Sequence, residues 1–474
     1  MPLKMNILFI VADDLNAWIG ALGRHPDVRT PHIDSLAKRG ILFTHAYCAA
    51  PYCNASRMSV FTGCLPTTTG IYHNEPLWDL PGRRSTFVEI LREAGYYTFG
   101  AGKVFHGVFD YATAGRNRLP QAEWREIENR PHLWDGFQTN SAEPLPDGRP
   151  LNDLFDFSDF ASVPSMYHYF DWGPLPDDRI DSMPDAAVAR AVTEFLADPP
   201  REPFFCAAGL YKPHLPWHVP ARFFDLYDAE KIRLPVVKSD DLDDIPPTGK
   251  KWALTPPDHE LVTSRAVWRP AVQAYLASIS YCDHVIGQLI AALDASDVGE
   301  RTTVVLWGDN GFHLGEKLHW RKFVLWEEAT RVPLIIAPPP NFCGGKEDAG
   351  GHKVHAPVSL IDLHPTILDL CEAPLPDSSD IDGTSLRSLF GPQSTQTGHP
   401  SAVMTWGRGN HSVRTPEWRL IRYADGTKEL YDHRVDPYEW TNLAGLPAFS
   451  DVEQLLLGSI PVDRAPRWID STTS

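Results

Sequence analysis

The chain has 474 residues and a formal net charge of −18 at pH 7. This length allows one large domain and a smaller one, and a content of 43% hydrophobic residues is typical of a protein with a packed core. The acidic balance argues against nucleic acid as a partner, because a phosphate backbone would be repelled overall.

The N-terminal segment MPLKMNILFIVADDL predicts the first strand of the fold rather than a signal peptide. Its apolar stretch is short and β-branched, it ends in two aspartates, and no small-residue cleavage site follows. No apolar run has the length needed to cross a bilayer. We therefore expect a cytoplasmic protein without membrane association; a trimmed form of a secreted protein is the alternative.

Five short apolar runs predict buried parallel strands: 6–12 (NILFIVA), 96–101 (YYTFGA), 203–209 (PFFCAAG), 302–308 (TTVVLWG) and 332–338 (VPLIIAP). Helical patterns separate them, and the clearest runs from Ala271 to Leu293. Strands that alternate with helices predict an α/β fold with helices on both faces of the sheet.

The composition changes near residue 375, which divides the chain into an α/β domain over 1–375 and a C-terminal subdomain over 376–474. In the second part WRLIRY and KELYD flank an Asp425-Gly426 turn, a pattern that indicates a β-hairpin. We expect a small antiparallel sheet there. Proline-rich connections between about 110 and 185 and between 215 and 265 predict surface loops, where substrate specificity commonly resides.

Polar side chains follow four of the predicted strands. In open α/β sheets, ligands bind beyond the carboxyl ends of the strands. The four pairs are Asp13 and Asp14, Lys103 and His106, Lys212 and His214, and Asp309 and Asn310. We expect all four to meet at one edge of the sheet.

The acidic pairs predict a metal site, since carboxylate and amide oxygens suit Ca²⁺ or Mg²⁺ better than zinc. The alternative is that each pair caps a following helix; two pairs at equivalent strand ends favour the metal. The lysines, with Arg57 and Lys322, would then form a pocket for an oxyanion. The 7 cysteines are an odd number without a framework, which indicates reduced thiols, and their spacing predicts no zinc site.

The segment PYCNASRMSVFTG, residues 51–63, places Cys53 at a predicted helix N-terminus with Asn54 or Ser56 as cap. Such a position attracts anions and lowers the pKa of a thiol. Two interpretations follow, a thiolate nucleophile or a buried structural thiol. Neither accounts for Arg57 or for the aspartates.

Cys53-Asn54-Ala55-Ser56-Arg57 resembles the sulfatase signature, Cys-x-Pro/Ala-Ser-Arg. Further blocks along nearly the whole chain resemble the same family: NILFIVADDL, TPHIDSLAKRGILFTHAY, SRMSVFTGCLPTTTGIY, GKVFH, LYKPHLPW, GDNGFHLGEKLHWRK, ATRVPLII and ELYDHRVDPYEWTNLA. GKVFH and YKPH are most similar to the iduronate-2-sulfatase-like and choline-sulfatase-like branch. The resemblance implies an alkaline-phosphatase-like fold, with a large mixed, mostly parallel sheet and a smaller C-terminal subdomain.

The resemblance also implies that a dedicated maturation enzyme oxidises Cys53 to formylglycine, whose hydrated aldehyde is the nucleophile. It implies one divalent metal, Ca²⁺ in most sulfatases with Mn²⁺ or Mg²⁺ as alternatives. The implied ligands are Asp13, Asp14, Asp309, Asn310 and the modified Cys53. Asn310 stands where close relatives often carry histidine, and Ala55 stands where proline is commoner.

The remaining implied roles concern the substrate. Arg57 and Lys103 would hold and activate the hydrated aldehyde, and His106 would act as the base that collapses the covalent intermediate. Lys322 would bind sulfate oxygens together with the metal, and His214 would protonate, or hydrogen-bond, the leaving-group oxygen. Lys212 and His313 are weaker candidates for substrate contacts.

We therefore expect a sulfatase that hydrolyses a sulfate ester to an alcohol or phenol and inorganic sulfate. The nearest alternative is a phosphonate monoester or phosphodiester hydrolase of the same superfamily, with the same nucleophile. A non-catalytic anion-binding protein is a third interpretation. The acidic surface favours a small sulfated substrate, and the sequence is compatible with a homo-oligomer.

Overall fold

The computed structural model describes residues 4–75, 77, 83–106, 133–139, 146, 150–155, 163–164, 167–339, 342, 351–391 and 401–465. Much of the proline-rich connection predicted between 110 and 185 lies outside these ranges. An eight-stranded sheet organises the described residues. Its strands, in spatial order, are His352–Val354, Ile41–Phe43, Leu334–Ala337, Thr302–Gly308, Asn6–Ala12, Phe204–Leu210, Tyr97–Gly102 and Gly136–Gln138.

The central strand Asn6–Ala12 is buried on both faces. Leu8 and Ile10 pack into the hydrophobic cluster on one side of the sheet, whereas Ile7 and Phe9 pack into the cluster on the other side. The strand pairs in parallel with Thr302–Gly308 and with Phe204–Leu210. A continuous apolar run, rather than an alternating one, is what such a doubly covered strand requires.

All five predicted strands form, but one runs in the opposite direction from the prediction. Leu334–Ala337 pairs antiparallel with Thr302–Gly308. Between these strands the longest helix is the single turn Glu327–Thr330. A parallel return needs a crossover connection, usually a helix, so the chain instead turns back along its neighbour and the sheet is mixed.

Helices cover both faces of the sheet. The described α-helices are Pro31–Arg39, Cys53–Thr62, Pro66–Thr69, Phe87–Glu93, Pro184–Ala197, Ala221–Phe224, Pro247–Leu254, Asp258–Ser264, Trp268–Asp294, Glu327–Thr330, Leu363–Leu370 and Ser450–Leu457. Seven further strands form three small sheets. His313–Leu314 pairs with Trp320–Arg321, and Ala46–Tyr47 lies between Arg331–Val332 and Val358–Ser359. Trp172–Leu175 forms a separate parallel pair with Trp217–Pro220.

The helix Trp268–Asp294 begins three residues earlier than predicted. By length and composition it is apolar enough to cross a membrane, with an 18-residue window of mean hydropathy 1.3. The expectation that no apolar segment is long enough to cross a bilayer is therefore wrong for this helix, by length and composition. Since 72% of that window is buried inside the fold, the helix has the environment of a core element.

The C-terminal residues form a four-stranded antiparallel sheet, with strands Ala402–Thr405, His411–Arg414, Trp418–Arg422 and Lys428–Asp432. The predicted hairpin is confirmed, with Trp418 opposite Asp432 and Gly426 at a φ of 86° in the turn. One face packs Ile421 and Tyr431 against Leu325 and Trp326 of the larger part. The boundary at 375 stays a prediction.

Candidate active site

Four strand ends converge at one edge of the main sheet. Asp13 and Asp309 follow neighbouring strands, where Ala12 lies opposite Gly308. The Asp14 backbone N–H donates to Asp309 Oδ1 at 3.0 Å. Ligand atoms of Asp13, Asp14, Cys53 and Asp309 all lie within 4.8 Å of one another. These buried residues form a single cluster, here called the carboxylate cluster.

The helix-capping alternative does not hold for either acidic pair. After Asp14 the next helical turn begins only at Gly20, and after Asn310 the chain enters the strand His313–Leu314. Asp14 has a φ of 60°, a left-handed conformation that aspartate tolerates better than most residues. The side chains face each other across the sheet edge instead of a helix terminus.

Arg57 connects the helix Cys53–Thr62, here called the signature helix, to the strand ends at Asp13 and Asp309. Its side chain is fully buried, and its Nε donates to Asp309 Oδ2 at 2.9 Å. A second nitrogen lies 3.6 Å from Asp13 Oδ1, and a third donates to the Val104 carbonyl at 3.0 Å. A buried guanidinium is tolerated only with such partners, so Arg57 fixes the helix relative to the carboxylates.

Two lysines complete the charge balance of the cluster. The Lys103 ammonium is ion-paired with Asp13, and the Lys322 ammonium is ion-paired with Asp14 and lies 2.7 Å from Cys53 Sγ. Burial would raise the pKa of Asp13, but Lys103 and the other nearby cations outweigh it and hold that pKa well below its usual range. Burial and the charge of Asp13 raise the pKa of Asp309 to about 7.

The predicted caps of the signature helix are wrong. The helix is Cys53–Thr62, and Tyr52 is its N-cap without a side-chain cap. Asn54 instead donates to the carbonyls of His73 and Glu75 at 2.8 and 3.0 Å, and the Ser56 hydroxyl donates to the Asp309 carbonyl at 2.5 Å. Both side chains are used for tertiary contacts, because the helix begins inside the fold.

The environment of Cys53 also corrects the expectation for its thiol. The helix N-terminus predicts a lowered pKa, yet burial and the charge of Asp13 raise the pKa of Cys53 well above its ordinary value, against the opposing effect of Lys322. Desolvation and a nearby carboxylate therefore dominate over the helix dipole.

The residues of the cluster suit a divalent metal with oxygen ligands. Asp13 Oδ1 and Asn310 Oδ1 are buried and have no hydrogen-bond partner among the described residues. Asn310 uses its amide nitrogen to donate to Asp14 Oδ1 at 2.7 Å and to the Gly311 carbonyl at 2.9 Å, so its oxygen is left for another partner. Three carboxylates and one amide oxygen are hard donors of the kind that Ca²⁺, Mg²⁺ and Mn²⁺ accept.

Two histidines lie beside the cluster. Both ring nitrogens of His106 are buried without a hydrogen-bond partner in the described part of the chain, and burial together with Lys103 holds its pKa well below the usual range. His214 Nε2 lies 3.7 Å from Asp14 Oδ2, and its side chain is 24% exposed. Burial lowers the pKa of His214 to about 4, so both rings are neutral near pH 7.

The two weaker candidates are held by local contacts. The Lys212 ammonium donates to the Pro216 carbonyl at 2.6 Å. His313 Nδ1 lies 3.1 Å from the Glu316 carbonyl, and its ring is 5.3 Å from that of His319. These contacts do not place either side chain among the ligand atoms of the carboxylate cluster.

A model of the family described as Sulfatase matches residues 5–373. The chain belongs to the sulfatase family. A second model, N-sulphoglucosamine sulphohydrolase, C-terminal, matches residues 315–462. The resemblance noted at the signature is therefore confirmed.

Individual proteins agree with this assignment. A sulfatase of Formosa agariphila is 35% identical over 98% of this chain and 87% of its own length. Iduronate 2-sulfatase of Mus musculus is 29% identical over 94% of this chain and 87% of its own. The solved phosphonate monoester hydrolase of Agrobacterium radiobacter superposes with a TM-score of 0.72 at 20% identity, over 96% of this chain and 94% of that one. At that identity the last likeness shows the fold alone.

The loop that carries Lys322 in this sulfatase has an unusual backbone. Non-glycine residues with a positive φ cluster within it: Lys317 at 56°, Leu318 at 51°, Arg321 at 75° and Phe323 at 74°. Each left-handed residue costs roughly 1–2 kcal/mol, so the surrounding structure must impose this conformation. No sequence pattern indicated it, because non-glycine residues rarely adopt these angles.

Contacts from distant segments impose that conformation. Arg321 pairs with Asp258 at 2.6 Å, and the Lys317 ammonium pairs with Asp241 at 2.8 Å. The ring nitrogens of His319 lie 3.0 Å from the Ala253 carbonyl and 2.9 Å from the Lys322 carbonyl. Sequence analysis missed these residues. They fix the position of the Lys322 ammonium against Cys53.

Tyr211 is a further residue of the site that the sequence analysis did not single out. Its ring lies 5.4 Å from the Lys103 ammonium and 4.8 Å from the ring of His214. It therefore separates and orients two side chains from different strand ends. The available signal was its place inside the LYKPHLPW block.

Proposed function

We propose that this protein hydrolyses a sulfate ester to an alcohol or phenol and inorganic sulfate, with formylglycine made from Cys53 as the nucleophile. One observation carries the proposal. Cys53 lies in the sulfatase signature at the centre of a buried cluster of three carboxylates and three cations.

We propose that Asp13, Asp14, Asp309 and Asn310 hold one divalent metal, most suitably Ca²⁺. The support is the set of hard oxygen donors, including two buried oxygens without a hydrogen-bond partner among the described residues. When bound, such an ion polarises the oxygens of the ester and offsets the negative charge that develops on them.

The side chains of the chain itself have separate tasks. Lys322 lies 2.7 Å from Cys53 Sγ, a position suited to binding an oxygen of a sulfate group at the nucleophile. Arg57 and Lys103 hold Asp309 and Asp13 in place. His106 is neutral, and a buried neutral ring can accept a proton at one nitrogen. His214 is partly exposed, and a neutral imidazole N–H can donate a hydrogen bond to the leaving-group oxygen.

The proposal is tested by mass spectrometry of the tryptic peptide 40–57 from protein made in its native host. We expect Cys53 to have the mass of the aldehyde or its hydrate, and we expect turnover of 4-nitrophenyl sulfate that a Cys53→Ala variant loses. A thiol at Cys53 in fully active protein would overturn the role of formylglycine. Turnover that survives in Cys53→Ala would overturn the nucleophile itself.

The phosphonate monoester hydrolase alternative is tested in the same assay. Sulfate, phosphonate and phosphodiester groups are all tetrahedral oxyanions, so one pocket can accept each of them. We expect the highest kcat/KM on the aryl sulfate. We further propose that maturation occurs in the cytoplasm, which fractionation of the host with detection of the modified peptide would test.

A further inference from the structure

Four aromatic side chains from separate segments pack together beside Cys53. Tyr52 and Trp406 are stacked with centroids 5.6 Å apart and planes at 22°. Phe323 lies 5.5 Å from each of them, and His73 meets Trp406 edge-on at 4.9 Å. We call this group the aromatic wall; it joins the signature segment, the Lys322 loop and the end of a C-terminal strand.

The aromatic wall is continuous with the carboxylate cluster. Tyr52 directly precedes Cys53, and Phe323 directly follows Lys322. The Lys322 ammonium is 5.8 Å from the centroid of the Phe323 ring and 2.7 Å from Cys53 Sγ. The Phe323 backbone N–H donates to the Pro51 carbonyl at 3.3 Å. The wall therefore borders the position of the nucleophile.

Partial exposure distinguishes the wall from the core. Tyr52, Phe323 and Trp406 are half-buried and His73 is exposed, whereas the nearby Trp326 is 1% exposed. Hydrolysis of the sulfate group itself uses none of these rings. Large half-exposed aromatic side chains next to a reacting centre are typical of a ligand site.

The stacking geometry restricts the ligand. A third ring between Tyr52 and Trp406 would need roughly 7 Å, twice the usual contact distance of about 3.5 Å, but their centroids are 5.6 Å apart. The wall thus offers an outer surface rather than a slot or an enclosing cage. Such a surface suits the flat apolar face of a ring, and suits a quaternary ammonium group less well, since that cation is held best when rings surround it.

We propose that the aromatic wall is the subsite for the leaving group, where it stacks against the apolar face of an aryl or pyranose ring that carries the sulfate. This inference rests on the proposed function. Through Trp406, the C-terminal sheet then contributes to substrate selection. The two sources of such a face, an aryl and a pyranose ring, are separated by the choice of substrates below.

The test compares Trp406→Leu with the wild-type enzyme on three substrates: 4-nitrophenyl sulfate, a monosaccharide 6-sulfate and ethyl sulfate. Leucine retains most of the volume and removes the flat face. We expect KM to rise about tenfold, equivalent to about 1.4 kcal/mol, on at least one of the two ring substrates. A rise on 4-nitrophenyl sulfate alone would identify an aryl ring as the occupant, and a rise on the monosaccharide 6-sulfate alone would identify a pyranose ring. KM for ethyl sulfate should change less than about twofold, and kcat should be retained.

Trp418→Leu is the matched control, because Trp418 packs against Phe449 on the opposite face of the C-terminal sheet; it should leave all three KM values unchanged. Phe323→Leu should reproduce the ring-specific loss. An equal rise in KM on ring and ringless substrates, or no change in KM, would overturn the proposal. Choline sulfate is assayed as a fourth substrate, and a larger rise in its KM than in the KM of both ring substrates would also overturn the proposal. If the wild-type enzyme hydrolyses no sulfate ester, the proposed function fails instead.

For an independent readout, binding to the Cys53→Ala protein is measured by calorimetry. In this background Trp406→Leu should weaken binding of the ring sulfate about tenfold and leave inorganic sulfate binding unchanged. Weakening of both ligands by the same factor would show that Trp406 acts only through the structure of the sulfate pocket, and the proposal would be wrong.

Discussion

Arg419 offers a sharp test of how the C-terminal sheet supports the active site. It lies in the strand Trp418–Arg422 and is fully buried. One guanidinium nitrogen donates to the Leu325 carbonyl at 2.8 Å, and Nε lies 2.6 Å from Glu439 Oε1. Glu327 is a further partner. Arg419→Met removes the cation and leaves two buried carboxylates behind.

The expected loss is large. Removing one partner of a buried ion pair costs roughly 3–5 kcal/mol when the remaining charge is uncompensated. Glu327 keeps Arg331 and Arg414, and Glu439 keeps His433, so we expect a loss toward the lower end of that range. Arg387→Met is the matched control: Arg387 pairs with Asp369 at 2.8 Å, but its side chain is 44% exposed, and such pairs contribute roughly 0–1 kcal/mol. Urea unfolding of both variants, followed by circular dichroism, measures the two free energies of unfolding.

A second variant separates the charge from the packing. Arg419→Met combined with Glu439→Gln should recover part of the loss, since without Arg419 the Glu439 carboxylate keeps only His433 as an ion-pair partner among the described residues. We also expect kcat to fall in Arg419→Met, because Leu325 and Glu327 closely follow Lys322 in the chain. Equal losses of stability in Arg419→Met and Arg387→Met would refute the reasoning.

Three further predictions follow from the described contacts. Chelation with EDTA should abolish turnover and lower the Tm, since an ion bound only by the folded state stabilises it. When divalent ions are added back, the restored activity should be greatest with Ca²⁺. Full activity after exhaustive chelation would contradict the metal site. Burial opposes ionisation of Glu439, but Arg419 and His433 outweigh it and lower the pKa of Glu439 to about 2, from 4.5. This stabilisation is complete above about pH 4.5 and is lost as the pH falls toward 2, so the urea midpoint should decline across that range, less steeply in Glu439→Gln. Thr86 and Glu89 form a capping box at the helix Phe87–Glu93; Thr86→Ala should cost about 1 kcal/mol in urea unfolding, and an unchanged midpoint would show that the box is dispensable.

Much of the candidate site follows from local sequence. Asp13 and Asp309 each come directly after a fully buried strand. Because parallel strands end at one edge of a sheet, the adjacency of these residues could be inferred without coordinates. The signature at Cys53 and the hairpin at Asp425-Gly426 could likewise be recognised from a few consecutive residues.

Other features depend on partners that are distant in the chain. Ser56 donates to a carbonyl 253 residues away, so its local capping propensity predicted the wrong contact. The direction of Leu334–Ala337 depends on a connection without a crossover helix. The raised pKa of Cys53 depends on burial and on Asp13, and neither is visible in the segment that suggests a helix N-terminus.

The sequence by itself determined which chemical groups reach the edge of the sheet, since strand ends and the signature are encoded within a few residues. Only the tertiary structure decided how those groups are charged and held: the desolvated thiol, the left-handed loop around Lys322 and the aromatic wall that brings Trp406 to Tyr52. Burial, electrostatic interaction and ring packing act between segments hundreds of residues apart, and no local pattern specifies them.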